Sequence, residues 1–469
     1  MNPGPTRPPR RPTRRDFLKT TAGAASAALV APCLVPFSVL GADAPSNRIN
    51  VGVIGTGNQG TPDMETFMRF DDVQVKAISD VNTAGTGYRD ETQLLGREPA
   101  LKILNEYYAE KTTSGRFQGV DAYNDFREIL GRDDIDAVAI VTPDHWHGVM
   151  TVMAAEAGKD IFCQKPLSLT VRQGQAMVKA VREHQRILQT GSQFRSSPAN
   201  RFGCELVRNG RIGQLQTIRT FLALNNKTGP GPGWQPMPVP EGFDYDLWLG
   251  PAPEAPYHAD RCFYKFRFIL DYSGGQMTNF GGHSNDMAQW GNGTCLTGPV
   301  EFEGIEAEWP PNGSLFTTAV KAKFRARYAN GVELISEMGP PGFGVRFEGT
   351  EGWVQFGFDG LKTHPESLVD TKIGPNEIHL PRSIPDRTEN VYANYCIDHV
   401  RNFLNSVKSR QQPIEPVEVG HRTASICHLG NIAIQLMRKL QWDPEKEQFV
   451  GDEEANQMLS KPIRPPWHV

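Results

Sequence analysis

Ile49-Asn50-Val51-Gly52-Val53-Ile54-Gly55-Thr56-Gly57-Asn58-Gln59-Gly60 is an apolar run that breaks into a Gly-x-Gly-x-x-Gly turn, and its reading decides the fold. Such a turn suits a pyrophosphate. Gly55 permits a tight turn, Gly57 lets backbone approach a phosphate, and Gly60 lets the next helix pack close to the strand. The free N–H groups and positive dipole end of that helix then face the anion.

Working outward, a helix is expected from about Gly60 to Phe70, then a second strand over Val73–Ser79 that ends at Asp80. An acid there, roughly 20 residues past the glycines, is what a dinucleotide fold uses for the adenosine ribose hydroxyls. No Arg directly follows it (Val81, Asn82), and its charge repels a 2′-phosphate, so NAD is favoured over NADP. Short apolar runs continue to alternate with helical stretches, predicting a doubly wound parallel sheet with helices on both faces. Helices are expected over Glu91–Lys111 and Ala122–Leu130, and buried strands over Ala137–Thr142 and Asp160–Cys163. Between these strands, Pro143-Asp144-His145-Trp146-His147 opens a helix running to about Ala157, at the strand end where such sheets bind ligands. His145 and His147 also suit a metal, but no second cluster of His and carboxylates at ligand spacing accompanies them, so no metal is expected.

After Asp160–Cys163 comes Gln164-Lys165-Pro166-Leu167. With Gly55-x-Gly57-x-x-Gly60, Asp80 and Thr142-Pro143-Asp144-His145-Trp146-His147, this order and spacing resembles the Gfo/Idh/MocA oxidoreductases, the relatives of glucose-fructose oxidoreductase and inositol dehydrogenase. The resemblance implies a Rossmann domain over 48–167 and a substrate-binding and oligomerisation α+β domain over 168–440, with a large open sheet. It implies NAD contacts from Gly55, Thr56, Gly57, Asn58, Gln59, Gly60, Asp80, Thr142, Pro143, Asp144, His147, Gln164 and Lys165. It also implies a sugar or cyclitol substrate and a homo-oligomer.

The second part has its own texture. Val171–Gln185 reads as a helix and Ile187–Gly191 as one more strand, and the loop Ser192–Arg195 is expected to face the cleft. A sheet starts over Gln214–Asn226. Val320–Tyr328 alternates apolar and cationic residues and turns at Asn330-Gly331 into Val332–Met338, a hairpin of an antiparallel sheet with one wet or partner-covered face. Helices are expected over Tyr392–Ser406 and Ala424–Leu440. Residues 441–469 resemble the tail of exported members of the family.

Asp271–Trp290 resembles the family's second signature, a Gly-rich entry into a helix bearing the catalytic His283, with Asp286 or Met287 and Trp290 on the same face. Hydride removal from a secondary alcohol needs a nicotinamide, a base for the hydroxyl proton and a donor to the developing alkoxide. His283 and Lys165 fill the last two roles, which could be exchanged. Arg195, Arg267, Tyr272, Asn279 and Asp286 are candidate substrate contacts, and one of Trp234, Trp248 and Trp290 is expected to stack on a sugar. Two positions depart from the family pattern: Gln164 where Glu is usual, and Asn279 where Asp is frequent. Losing an anion beside a base lowers its proton affinity, so Lys165 and His283 are expected to titrate lower than in relatives with both acids. The departures also admit a cofactor-retaining sugar-binding protein without catalysis. A hydrolytic alternative is a glycosidase that uses bound NAD in transient oxidation and elimination.

Thr13-Arg14-Arg15-Asp16-Phe17-Leu18-Lys19 followed by a mildly apolar Thr20–Leu40 resembles a twin-arginine export signal over 1–42. Translocase engagement and a periplasmic location are expected, with membrane tethering if the signal is retained. Free NAD is scarce there, so the cofactor is expected to be held tightly. The leader carries an excess of five positive charges within a chain whose net charge is −4, so the remainder is acidic and no nucleic acid is expected as a partner. Of seven cysteines one lies in the leader, and the rest show no metal or redox spacing. They read as small buried side chains.

Overall fold

In the computed structural model, residues 48–225, 229–385 and 394–469 are described. The expected leader, and the outer ends of the elements expected at Asn226 and Tyr392, lie outside them.

The first sheet has six parallel strands in the order β3-β2-β1-β4-β5-β6: β1 (Ile49–Ile54), β2 (Val73–Ser79), β3 (Asp121–Tyr123), β4 (Ala137–Ile140), β5 (Asp160–Cys163) and β6 (Leu188–Thr190). The order reverses between β1 and β4, which pair from Val51↔Ala137 to Ile54↔Ile140. A crevice therefore opens at the carboxyl ends of these two strands. Helices cover both faces: α1 (Gly60–Phe67), α2 (Arg97–Glu110), α3 (Phe126–Leu130), α4 (Asp144–Glu156) and α5 (Val171–Glu183). Two apolar layers result, one around Val51, Val53 and Phe162, the other around Ile54, Ile140 and Trp146.

Several boundaries differ from expectation for local reasons. Only Arg97–Glu110 of the expected 91–111 helix is helical, because Gly85 and Leu95 exchange backbone hydrogen bonds and Gly96, at φ 128°, turns the chain into the helix. The expected helix over 122–130 is a strand and a helix: Ala122 and Tyr123 pair with β2, and the Asp125 carboxylate accepts from the Arg127 N–H to start α3. The domain boundary expected at 167 falls inside the first sheet, since β6 lies beyond it. The chain also returns to this domain: Phe403 of α10 (Tyr395–Ser409) packs edge-on against Phe67 and Phe162.

The second sheet has nine strands in the order β13-β12-β11-β7-β10-β9-β8-β14-β15. In chain order these are β7 (Leu215–Leu222), β8 (Glu301–Glu308), β9 (Lys321–Arg327), β10 (Glu333–Met338), β11 (Phe343–Gly349), β12 (Trp353–Gly357), β13 (Gly360–His364), β14 (Lys439–Asp443) and β15 (Gln448–Phe449). Only β7 and β10 run parallel; every other pair is antiparallel. The expected alternation in β9 holds: Ala322, Phe324 and Ala326 are buried, while Lys321, Lys323 and Arg325 reach Glu306, Glu337 and Glu303 on neighbouring strands. The remaining helices are α6 (Pro198–Arg208), α7 (Tyr245–Leu249), α8 (Gln276–Asn279), α9 (Gly281–Asn292), α11 (Val417–Leu436) and α12 (Glu453–Gln457). Helix α11 starts earlier and ends earlier than the expected 424–440, stopping where Met437 turns left-handed and Lys439 enters β14. Residues 441–469 are thus no loose tail: they extend the second sheet and end with Trp467 against Trp146 and Phe126.

Candidate active site

A cleft of about 640 Å³ opens at the β1/β4 switch point and is walled on its far side by α8, α9 and the second sheet. The glycine turn forms its inner end. Gly55 has φ 90°, and a side chain there would sit 2.5 Å from the Val141 carbonyl oxygen. One at Gly60 would sit 2.0 Å from the Gly55 oxygen, so α1 can approach β1 only because both residues are glycine. Gly55, Gly57, Asn58 and Gln59 line the cleft; Thr56 and Gly60 lie behind it.

Asp80 closes the turn from below. Its Oδ2 accepts from the Thr56 N–H at 2.7 Å and the Thr56 hydroxyl at 3.1 Å, and its Oδ1 accepts from the Asn82 N–H at 2.8 Å. Burial raises its carboxyl above the usual range despite these donors. Arg97, Tyr88 and Arg89 were not singled out from the sequence. Arg97 donates to the Asp80 carbonyl at 2.6 Å, and Tyr88 and Arg89 line the cleft. These features suit a dinucleotide: two positions where a Cβ would collide, a helix N-terminus and an acid at the next strand end.

Thr142, Pro143 and Asp144 line the cleft as expected. Asp144 is buried, which raises its carboxyl, and it accepts from the Ser273 hydroxyl at 2.5 Å. His147 does not line the cleft. Its Nδ1 lies 2.6 Å from the Pro166 oxygen and its Nε2 2.9 Å from the Thr142 oxygen, so it ties the end of β4 to the segment after β5. It supports the cofactor wall rather than touching it. His145 faces a different carbonyl, that of Trp248, at 2.9 Å. Burial pushes it down to about 3, so it is neutral.

Lys165 and His283 meet in the centre. The Lys165 ammonium donates to Asn279 Oδ1 at 2.7 Å, and the Asn279 amide donates in turn to Gln276 Oε1 at 2.9 Å. The lysine stem passes over Gly282, where a Cβ would lie 3.4 Å from its Cδ. Burial pushes Lys165 down to about 8, with Asp144 opposing and Arg267 reinforcing the fall. Burial, aided by the Lys165 charge, pushes His283 well below its ordinary value, leaving a neutral imidazole at neutral pH. Its Nδ1 is buried without a hydrogen-bond partner, because Asn279 turns its oxygen to Lys165. The His283 ring stands edge-on to Phe194, with centroids 4.9 Å apart. Phe194, Phe280, Phe358 and Tyr395 continue as an aromatic wall.

Three of the expected substrate contacts lie elsewhere. Arg195 and Asp286 form a buried ion pair, which keeps the guanidinium charged, with Glu415 nearby. Helix α9 therefore presents only His283 to the cleft and turns Asp286, Met287 and Trp290 to the interior. Tyr272 is fully buried, and its hydroxyl accepts from Arg261 at 3.2 Å. Arg267 and Asn279 do line the cleft. Of the three tryptophans singled out, Trp248 lines it, Trp290 is buried beneath Arg195, and Trp234 lies beside Arg261. The departure at Gln164 acquires a partner that sequence reading missed: its amide donates to Asp63 Oδ2 at 2.7 Å. An acid is thus present beside the lysine after all, on α1.

Residues 49–192 match the oxidoreductase family's NAD-binding Rossmann fold, and residues 229–469 match the oxidoreductase family's C-terminal alpha/beta domain. An alpha-N-acetylgalactosaminidase of Shewanella oneidensis is 30% identical over 217 residues, 43% of this chain and 44% of that protein. A levoglucosan dehydrogenase of Pseudarthrobacter phenanthrenivorans is 33% identical over 127 residues, 26% of this chain and 33% of that protein. Each match spans less than half the length of the relative. Among solved structures, levoglucosan dehydrogenase in complex with NADH and levoglucosan aligns with TM-score 0.58 at 19% identity, over 84% of this chain and 99% of that one. Aldose-aldose oxidoreductase from Caulobacter crescentus, complexed with glycerol, aligns at 0.56 and 18%, over 84% and 99%. These likenesses concern the fold. Carried by both domain matches, the chain belongs to the Gfo/Idh/MocA oxidoreductase family, with an NAD-binding Rossmann domain and the family's C-terminal α/β domain.

Proposed function

We propose that this chain removes a hydride from a secondary hydroxyl of a sugar, glycoside or cyclitol and passes it to an NAD that stays tightly bound. The observation that carries the reading is the meeting of Lys165, Asn279 and a neutral His283 in the same cleft as the glycine turn. The Gly55–Gly60 turn and the start of α1 would hold the pyrophosphate, Asp80 the ribose, and Thr142, Pro143 and Asp144 the inner wall. Bound NAD supplies the hydride acceptor. His283, held neutral by burial, takes the hydroxyl proton. The Lys165 ammonium, fixed by Asn279, donates to the substrate oxygen as negative charge develops there. The aromatic wall offers a face for sugar C–H groups and excludes water.

A second reading is favoured by one specific observation, the 30% identity to an alpha-N-acetylgalactosaminidase. In it the same residues run a transient oxidation, elimination and reduction that cleaves a glycoside without net redox change. A panel of glycosides and free sugars, followed by nicotinamide absorbance and by released aglycone, separates the two. Net oxidation predicts absorbance growth that requires an acceptor to turn over. Cleavage predicts aglycone release with the cofactor unchanged, and a sugar-binding protein without catalysis predicts neither signal.

The reading extends to place and assembly. Export through the twin-arginine translocase to the periplasm rests on the leader motif, and replacing Arg14 and Arg15 by Lys should leave the protein in the cytoplasm. A homo-oligomer rests on the charged outer face of the second sheet; light scattering of a monomer at micromolar concentration would refute it.

A further inference from the structure

Asp63 is a buried acid that the chemistry above leaves unused. It lies in the first turn of α1, 6% exposed, just behind the cleft wall. Its two oxygens accept from two glutamine amides: Gln59 from the glycine turn at 2.9 Å and Gln164 from the end of β5 at 2.7 Å. Gln164 is clamped in place, since a Cβ on Gly191 would come within 2.7 Å of its side-chain carbon. The Gln164 Oε1 also accepts from the Lys165 backbone N–H at 3.3 Å. Asp63 is thus two hydrogen bonds from the main chain of the lysine at the centre of the site.

The charges around Lys165 come from five elements: Asp63 from α1, Asp144 from α4, Arg267 from the turn Lys265–Phe268, His283 from α9 and Cys427 from α11. Asp144 divides its field among His147, Lys165 and Arg267. Asp63 is different, for Lys165 is the cation whose field reaches it, and its other titratable neighbour is the neutral thiol of Cys396. Burying a carboxylate against two neutral amides is costly unless a cation compensates it.

We propose that Asp63 is the positioning residue that keeps Lys165 charged, acting from α1 through Gln164 as a carboxylate relocated from the residue beside the lysine. This rests on the preceding reading only in treating Lys165 as the group that meets the substrate oxygen.

The test is competitive acetylation of the purified full-length protein with acetic anhydride from neutral to strongly alkaline pH, with Lys165 read by peptide mass spectrometry. It needs neither turnover nor nucleotide. Asp63→Asn should lower the Lys165 midpoint by about one pH unit, making acetylation below the midpoint roughly tenfold faster, and Gln164→Glu should raise it by a similar amount. The exchange variant Asp63→Asn/Gln164→Glu, with the acid on the other side of the same hydrogen bond, should return close to wild type. An unchanged midpoint in folded Asp63→Asn, or an exchange variant that stays low, would overturn the proposal. Should Asp63→Asn not fold, an unchanged midpoint in Gln164→Glu overturns it equally. A midpoint that shifts as expected in a protein inert towards every sugar defeats the proposed function and leaves the charge assignment standing.

Discussion

Lys165 at about 8 and His283 well below its ordinary value are both consequences of burial in a wall that offers them few anions. Asn279→Asp puts a carboxylate within hydrogen-bond reach of the lysine and beside the imidazole. Both groups then hold their protons to higher pH, so the pH–rate profile should move to alkaline pH by about one unit; Gln164→Glu should act in the same direction. A profile unmoved by both substitutions would remove the charge argument. Asp63 makes a separate prediction for stability. Its folded value of about 6 lies above the unfolded 3.8, so the native state binds the extra proton between these values. The cost of its burial is absent below about pH 4, grows as pH rises, and is complete above about pH 6, where it is on the order of 2–3 kcal/mol. Asp63→Asn should therefore stabilise the fold at pH 8 and leave it nearly unchanged at pH 4. Chemical denaturation at both pH values checks this, and equal effects at the two would contradict it. Residues fixed by motif, such as Gly55, Gly57, Asp80, Lys165 and His283, were legible in sequence because their spacing is chemical. Asp63 was not, because its meaning depends on Gln164, 101 positions away. Arg195 and Asp286 misled for the opposite reason: a charged residue near a signature looks like a ligand contact until its buried partner is known.

Among the elements, β1, β2 and β5 were read to the residue, since buried parallel strands are continuous apolar runs bounded by polar punctuation. The 122–130 segment failed because a three-residue edge strand carries too short a pattern to separate from the helix that follows it. The C-terminal segment failed more instructively. Leu459 is fully buried, Arg464 donates to the Gly250 carbonyl at 2.7 Å and to Asp246 Oδ1 at 2.6 Å, and Trp467 stands edge-on to Trp146 with centroids 4.7 Å apart. Trp146 and Phe126, which Trp467 covers, both line the cleft. The tail is therefore a strap behind the nucleotide wall, formed by contacts too distant in sequence to show periodicity. Removing residues 460–469 should cost about 2 kcal/mol of stability and speed nucleotide loss. A truncated protein with an unaltered denaturant midpoint would show that the strap carries no load.

At the scale of the molecule, the two sheets divide the work. The parallel sheet supplies the turn, the acid and the helix end that a dinucleotide needs, and the second sheet holds α8 and α9 so that Asn279 and His283 face Lys165. A chain expected to act where free NAD is scarce gains from a cofactor it never releases, regenerated in place by alternate substrates. The central claim is a retained NAD that a sugar hydroxyl reduces, and one measurement meets it directly. The purified protein is gel-filtered, its nucleotide is released by acid and identified by mass spectrometry, and a parallel intact sample is mixed with a panel of sugars while nicotinamide absorbance is followed. The account predicts close to one NAD per chain after filtration and growth of the reduced-nicotinamide band with at least one sugar. A protein that carries no nucleotide and binds none when NAD is added would contradict it.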